Sequence, residues 1–361
     1  MIQRSTDIID TLIARTGPVA ITLTHHLAPV AGEVIKPPTF AAGDGNHFPG
    51  GYCLDRGHDG RSRVLVDSPA AQARRISQAL KEDETLASLI PHTIITAGSR
   101  QVDAVDAGHR AADAVLRCCD GLRDEIDAAF RAVLVGDHVP LARLHPLSML
   151  FGCWDSRATM AKVPRILESV IEAHDVLALT ACAQYVPPLE YRAEGLLDGI
   201  EASDDDLASR GYSHRPATGR PIGGVIARGG IVRSGALHLG GIRRYRSPDP
   251  EATRLMRRYL TALGMVAITL PQDLFLRSGC NLVTEPGKPL TIDTVNGNGE
   301  RSALGVSFEE AVALASDAAK SFGIDPTPRH FEFSRVAAAA DLGAGERRAA
   351  KAKANGKKVS K

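Results

Sequence analysis

The sequence predicts an α+β protein with a sheet at its centre rather than a doubly wound α/β fold. Two observations carry this. Short β-branched runs such as RVLVD (63–67) and PLTIDTV (289–295) mix with amphipathic helical stretches in no regular alternation. Long polar or Pro/Gly-rich insertions separate them, where parallel units would use short loops.

In chain order, residues 5–15 form a short helix. PVAITLTHHLAPV (18–30) alternates as a first strand, with Val19, Ile21 and Leu23 on one side. KPPTFAAGDGNHFPGG (36–51) is loop. RVLVD leads into Ser68-Pro69, an N-cap followed by proline at the first helical position, and a helix to about Lys81. HTIIT (92–96) is a strand. Residues 103–118 predict a helix whose outer face carries Asp106, Arg110, Asp113 and Arg117, each Asp four residues before an Arg. A further helix covers 124–134. The 147–154 run is apolar and strand-like, and 165–188 suits either strand or helix. Residues 190–222 are polar, with an acidic patch at Asp204–Asp206, and read as an inserted flap. An amphipathic helix over 250–263 ends at Gly264 before a strand, MVAITL. DLFLRSGCNLV (273–283) is strand-like, as is PLTIDTV. Residues 307–323 form a helix opened by the capping box Ser307-x-x-Glu310 and closed by glycine. The organisation is therefore one domain over 1–342 with an inserted flap, and a disordered basic tail over 343–361.

Composition narrows the function. Hydrophobic content of 44% and charged content of 24% are those of a soluble globular protein. No apolar run approaches membrane length, and no secretory signal opens the chain, so the expectation is a cytoplasmic protein without membrane contact. The six cysteines follow no C-x-x-C spacing and are read as reduced and mostly buried. The net charge of +1 hides an uneven distribution: between Arg210 and Arg258 there are eleven Arg against two acids. Such clustering suits a polyanion or an acidic protein partner. Aromatics at 4% argue against recognition mainly by base stacking.

Catalytic signatures are missing. There is no G-x-x-x-x-G-K-[ST] for nucleotide hydrolysis and no G-x-S-x-G elbow. His47, Cys53 and His58, or His25-His26, match no usual ligand spacing, so neither a metal nor another cofactor is expected. What remains is arginine, whose fork grips phosphate oxygens. In LSMLFGCWDSRATMAKVPRILE (147–168) the only tryptophan, Trp154, precedes Asp155-Ser156, and Arg157, Lys162 and Arg165 follow. Two readings stay open. Either Trp154 is core, Asp155 and Ser156 shape a turn and the cations are solvated, or the basic loop holds a phosphodiester backbone.

Four stretches together resemble the CRISPR-associated RAMP backbone subunit, of the Cas-seven group, from the type I-U (also called I-G) Cascade interference complex. They are YCLD…VLVDSPAAQARRISQAL (52–80), GHRAADAVLRCCDG (108–121), LHPLSMLFGCWDSR…VPRILES (144–169) and GGVIARGGIVRSGALHLGGIRRYR (223–246). The order is consistent over residues 36–320, and F-G-x-W-D-S is the most specific part. Departures fall at Ala70-Ala71-Gln72-Ala73-Arg74-Arg75, where the family pattern reads Q-S-Q-A-N-R, at Cys118-Cys119, where it has Asp-Ser, and at Arg157, where it has Thr or Gly.

The resemblance implies an RRM-like, ferredoxin-like antiparallel sheet core with large insertions forming a thumb or flap. It implies a non-catalytic subunit, several copies of which stack along one crRNA. The guide is left free to pair with target DNA, beside other Cascade subunits, and cutting falls to a recruited helicase-nuclease. Arg75, Arg117 and Ser156 carry over from the family pattern, and Arg74 and Arg157 only as local charge. Arg110, Lys162, Arg165, Arg233, Arg243 and Arg244 complete the set expected at the guide. Two other readings are a RAMP-type CRISPR RNA-processing endoribonuclease, which needs a histidine near a bound phosphate, and an unrelated cytoplasmic metabolic enzyme.

Overall fold

A computed structural model describes residues 2–43 and 48–343. The basic tail expected to be disordered therefore falls, but for Gly343, outside the described residues. Strands β1 (Ala20–Pro29) and β2 (Ser62–Asp67) precede helix α1 (Pro69–Glu82). Strands β3 (Leu167–His174) and β4 (Ile231–His238) follow, then helix α2 (Pro250–Thr269). The chain continues with strands β5 (Phe275–Arg277), β6 (Cys280–Thr284) and β7 (Thr291–Val295), and helix α3 (Phe308–Phe322).

The central sheet runs in the order β5-β6-β1-β4-β3-β2, with Leu54–Arg56 beyond β2 and β7 pairing with β1. The pairs are antiparallel, so β1 and β3, with β4 between them, run the same way. Apart from β2, added at the outer side of β3, the succession β1, α1, β3, β4, α2, β6 in the sheet order β6-β1-β4-β3 is the ferredoxin-like connection of an RRM. The α+β fold with insertions is as expected.

Period-two alternation places the core. Ile21, Leu23 and Leu27 of β1 are buried, while Thr22, Thr24 and His26 lie on the other face. The buried side packs under α1, α2 and α3. The other face carries Glu168 and Glu172 of β3 and Ser234 and His238 of β4 beside the β1 threonines. It is not aromatic, and its charges are mixed: Arg301 Nη1 donates to Thr22 Oγ1 at 2.9 Å, and Arg63 pairs with Glu172 at 3.4 Å.

A buried polar line crosses this sheet. Asp67 at the end of β2 accepts from Gln72 Nε2 at 2.7 Å and from Arg75 Nε at 3.1 Å. Ser169 Oγ of β3 donates to Gln72 Oε1 and accepts from Arg233 Nε of β4, each at 3.2 Å. Arg233 pairs in register with His25 of β1, whose Nε2 meets Thr284 Oγ1 of β6 at 2.9 Å. Asp67 Oδ1 also accepts from Arg277 Nη2 of β5 at 3.1 Å. Asp67 and Arg277 lie toward opposite ends of the strand order, so their contact requires the sheet to curl. A smaller core of Leu27, Val64, Ile171, Leu276 and Leu282 fills that curl.

Several expectations are corrected. Residues 103–118 are not one helix. Ala104–Asp106 and Arg110–Ala112 are single 3₁₀ turns, and only Ala114–Arg117 is α-helical. Asp103 and Asp113 cap the backbone N–H groups of Val105 and Val115, and Asp106 pairs with Lys81, so the ion-pair ladder is absent. The 147–154 run is mostly a helix, Pro146–Phe151, because Pro146 and the His145 cap start one. Gly264 does not end α2. It lies within the helix, where a Cβ would come 2.6 Å from Leu237 Cδ2, so glycine permits close contact with β4 and MVAITL stays helical. Val19 is exposed. Within 36–51, Thr39–Phe40 pairs with Gly51–Tyr52, and residues 44–47 are outside the description. The ambiguous 165–188 stretch is β3 followed by Val176–Tyr185. That strand pairs with Arg215–Ala227, which also pairs with Val34–Ile35, in a small sheet inserted between β3 and β4. The 190–222 stretch sits within this insertion, with one helix at Asp204–Arg210. All six cysteines are free, with Cys118, Cys119 and Cys280 buried. No helix among the described residues is long and apolar enough to cross a membrane.

Two buried histidines give stability opposite pH dependences. His92 Nδ1 meets Asp103 Oδ2 at 2.9 Å, and this hydrogen bond raises its pKa. Its contribution is complete below about 6.5 and is lost as pH rises through the folded value. His145 is neutral. Burial lowers its pKa to about 4, and its Nδ1 accepts from Ser148 N. The unfolded chain protonates first, so His145 destabilises the fold as pH falls from about 6.5 toward 4, by about 3 kcal/mol at the limit. His145→Asn keeps a capping acceptor without the titration. Its urea midpoint is expected to fall less than the wild type's between pH 7 and 4.5.

Candidate nucleic-acid interface

The site is built on the turn that follows the Pro146–Phe151 helix. Gly152 adopts φ +77°, and a Cβ there would lie 2.8 Å from Arg165 N and 3.0 Å from Val163 O. Only glycine lets the helix end turn so closely under the returning chain. Cys153–Trp154 then pairs antiparallel with Lys162–Val163, and Lys162 sits directly opposite Trp154. Cross-strand partners share a face, so the ammonium lies over the indole, 4.7 Å from the ring centroid. Trp154 is 50% exposed, which overturns the expectation that it is core. Alternation explains the reversal: Asp155 turns inward, and its neighbours Trp154 and Ser156 turn out.

Asp155 is fully buried and organises the loop. It accepts from Thr159 N and Thr159 Oγ1, both at 2.7 Å, from Ala158 N at 3.2 Å and from Arg157 N at 3.3 Å. Arg117, 1% exposed, brings Nη1 within 3.5 Å of Asp155 and donates from Nη2 to Asp127 at 2.6 Å. Burial alone would raise the Asp155 pKa. The Thr159 hydrogen bonds and the Arg117 charge outweigh it and hold the carboxyl below its usual range.

Beside the loop lies a groove of about 390 Å³ lined by His109, Arg110, Trp154, Ser156 and Arg157, among others. Arg110 has φ 53°, uncommon for a side chain-bearing residue. Its guanidinium lies 5.1 Å from the Phe151 ring centroid and donates to Gly152 O at 3.5 Å. Burial, with the nearby Arg165 charge, lowers its pKa to about 10, so it stays cationic at neutral pH. Arg165 is exposed and donates from Nε to Phe151 O at 3.4 Å. Arg157 pairs with Asp341 at 3.4 Å. The arrangement offers an exposed aromatic face, an outward hydroxyl and several cations, suited to a sugar or base against the ring and phosphate oxygens at the cations.

Of the residues expected at the guide, Arg110, Ser156, Arg157, Lys162 and Arg165 come together here. The others do not. Arg117 is interior. Arg75 is held by Asp67, and Arg233 lies beneath the sheet on Ser169. Arg243 donates to the carbonyls of Leu12, Ala14 and Pro18. Arg74 and Arg244 are exposed elsewhere. Reading the sequence missed the outward Trp154 and the groove position of His109. The eight-residue spacing from Trp154 to Lys162 around a tight turn is the signal that could have paired them. Among the described residues, no three His, Cys, Asp or Glu side chains are grouped to hold a metal, and His47 lies outside the description.

Residues 21–178 match the model of the family described as CRISPR-associated protein GSU0053. Over those residues the chain is similar to that CRISPR-associated family. The matched segment runs from β1 into the first strand of the insertion, so every groove residue named above lies inside it. No curated protein matches the chain.

The loop separates stability from surface chemistry. Asp155→Ala leaves Arg117 with one partner and several N–H groups with none, and should cost about 3 kcal/mol. Trp154→Ala should cost less than about 1 kcal/mol, since half its surface is already in water. Urea unfolding of the two variants checks the contrast.

Proposed function

We propose that the chain is a non-catalytic crRNA-binding backbone subunit of a type I-U/I-G Cascade surveillance complex. Copies of it line the guide, other Cascade subunits flank them, and the guide pairs with target DNA before a helicase-nuclease is recruited. The observation that carries this reading is the exposed Trp154–Lys162 stack at the rim of a groove that also holds Arg110 and Ser156, with the Arg165 charge close to Arg110. The open sheet face has no aromatic platform, and its Glu168 and Glu172 are paired with His238 and Arg63, so the groove with its exposed indole suits RNA better than the sheet face of an aromatic RRM would.

The chain has one tryptophan, so its fluorescence reports on the groove. Titrating a single-stranded oligoribonucleotide should quench Trp154 emission, with a response that weakens steeply with salt. Lys162→Ala combined with Arg165→Ala should reduce the slope of log affinity against log salt by about 1.4, at roughly 0.7 for each phosphate that is no longer neutralised. Purification from cells expressing a guide array should yield protein with a high 260/280 nm ratio, and the double variant should lose it. An RNA-free wild type at low salt would overturn the reading.

One observation favours the endoribonuclease alternative. His109 is exposed in the groove, with Nδ1 3.8 Å from Asp113 Oδ2. Metal-independent cleavage of repeat RNA, lost in His109→Ala, would establish it. Intact repeat RNA after prolonged incubation is the expected outcome.

A further inference from the structure

The cluster around Asp67 carries more positive charge than its one carboxylate balances. Arg75 and Arg277 both reach Asp67, and Arg233 approaches from below through Ser169. Arg233 is 2% exposed, and burial lowers its pKa only to about 10, so it is charged at neutral pH. Two guanidiniums thus pair with one buried acid, and a third, that of Arg233, is linked to it only through Ser169 and Gln72. Asp273 lies four residues before Arg277, but its carboxylate is turned to its own loop, accepting from Phe275 N at 2.9 Å.

Hydrogen bonding is also incomplete here. Arg233 Nη2 and Arg277 Nη1 are buried without a partner, and so is Nδ1 of His25, which stands opposite Arg233 in the sheet. Unpaired buried donors are costly, and guanidinium donors most of all. Arg75 and Arg277 keep side-chain exposures of 28% and 27%, so the cluster is reached from solvent between α1 and β5. The stem of exposed Lys36 packs over Gly279, next to that entrance. Planar forks with spare donors, an excess of positive charge and an open side suit a tetrahedral oxyanion.

We propose that the clasp formed by Arg75 and Arg277 on Asp67, with Arg233 beside it on Ser169, is a binding seat for a phosphate-class oxyanion, either the free ion or a phosphodiester group. The seat does not depend on the Trp154 groove. An anion there completes the unpaired donors and locks together the two ends of the curled sheet, so its occupancy stabilises the fold.

The test is thermal unfolding of the full chain in chloride and in inorganic phosphate at matched ionic strength, then with a short 5′-hydroxyl oligoribonucleotide in chloride. Phosphate should raise the midpoint saturably, by about 2 °C or more. Arg277→Gln should weaken the apparent phosphate affinity at least tenfold, while Lys162→Ala in the groove leaves it unchanged. Arg75→Lys, which keeps the charge but loses the fork, should be intermediate and serves if Arg277→Gln does not fold. Phosphate stabilisation sensitive to these changes assigns the seat to a free ion. If RNA alone stabilises the fold with the same sensitivity, the seat belongs to a phosphodiester. A midpoint unmoved in both arms, or moved equally in wild type, Arg277→Gln and Arg75→Lys, overturns the proposal. The RNA fluorescence response of Trp154 is read separately, so failure of the seat and failure of the groove are distinguishable.

Discussion

A buried carboxylate, Asp67, holds the sheet in its curled form. It ends β2, accepts from the first turns of α1 through Gln72 and Arg75, and receives Arg277 from the far side of the sheet. Removing a carboxylate so placed leaves buried guanidiniums facing one another, which costs far more than an exposed ion pair contributes. The curl in turn decides where β5 lies, and it encloses the smaller apolar core. The rest of the architecture follows from ordinary apolar burial under α1, α2 and α3.

The same device recurs at Asp155 at smaller scale. There the carboxylate has no sheet to close; it gathers N–H groups of a tight turn and one interior arginine. Because the loop is held from inside, its outer residues are free of structural duty. Trp154, Ser156 and Lys162 can face water without weakening the turn. An exposed indole on a rigid turn is set in place before any ligand arrives, and less ordering is lost on binding.

Arginine is distributed by environment rather than by sequence density. The eleven arginines between Arg210 and Arg258 suggested a basic surface. Several of them instead satisfy interior acceptors: Arg243 on the carbonyls before β1, Arg257 on those of Arg243 and Tyr245, Arg233 on Ser169. A guanidinium donates in several directions at once, so a fold with irregular loops uses it to close stray carbonyls. Positive charge counted along a chain therefore overstates the charge offered to a partner.

The sequence by itself determined the local elements whose signals are near neighbours. The Ser68-Pro69 start of α1, the capping box of α3 and the alternation of β1 all depend on interactions within a few residues, and they form as read. It also carried the family resemblance, which the match over residues 21–178 supports. Tertiary structure decided what depended on distant partners. Gly264 stays helical because Leu237 needs the space. The 103–118 segment breaks because its aspartates find backbone N–H groups and Lys81. Trp154 faces outward because Asp155, its neighbour, is claimed by Arg117 from another part of the chain. Side-chain direction in a strand is a binary choice, and the more strongly held residue of a pair makes it for both.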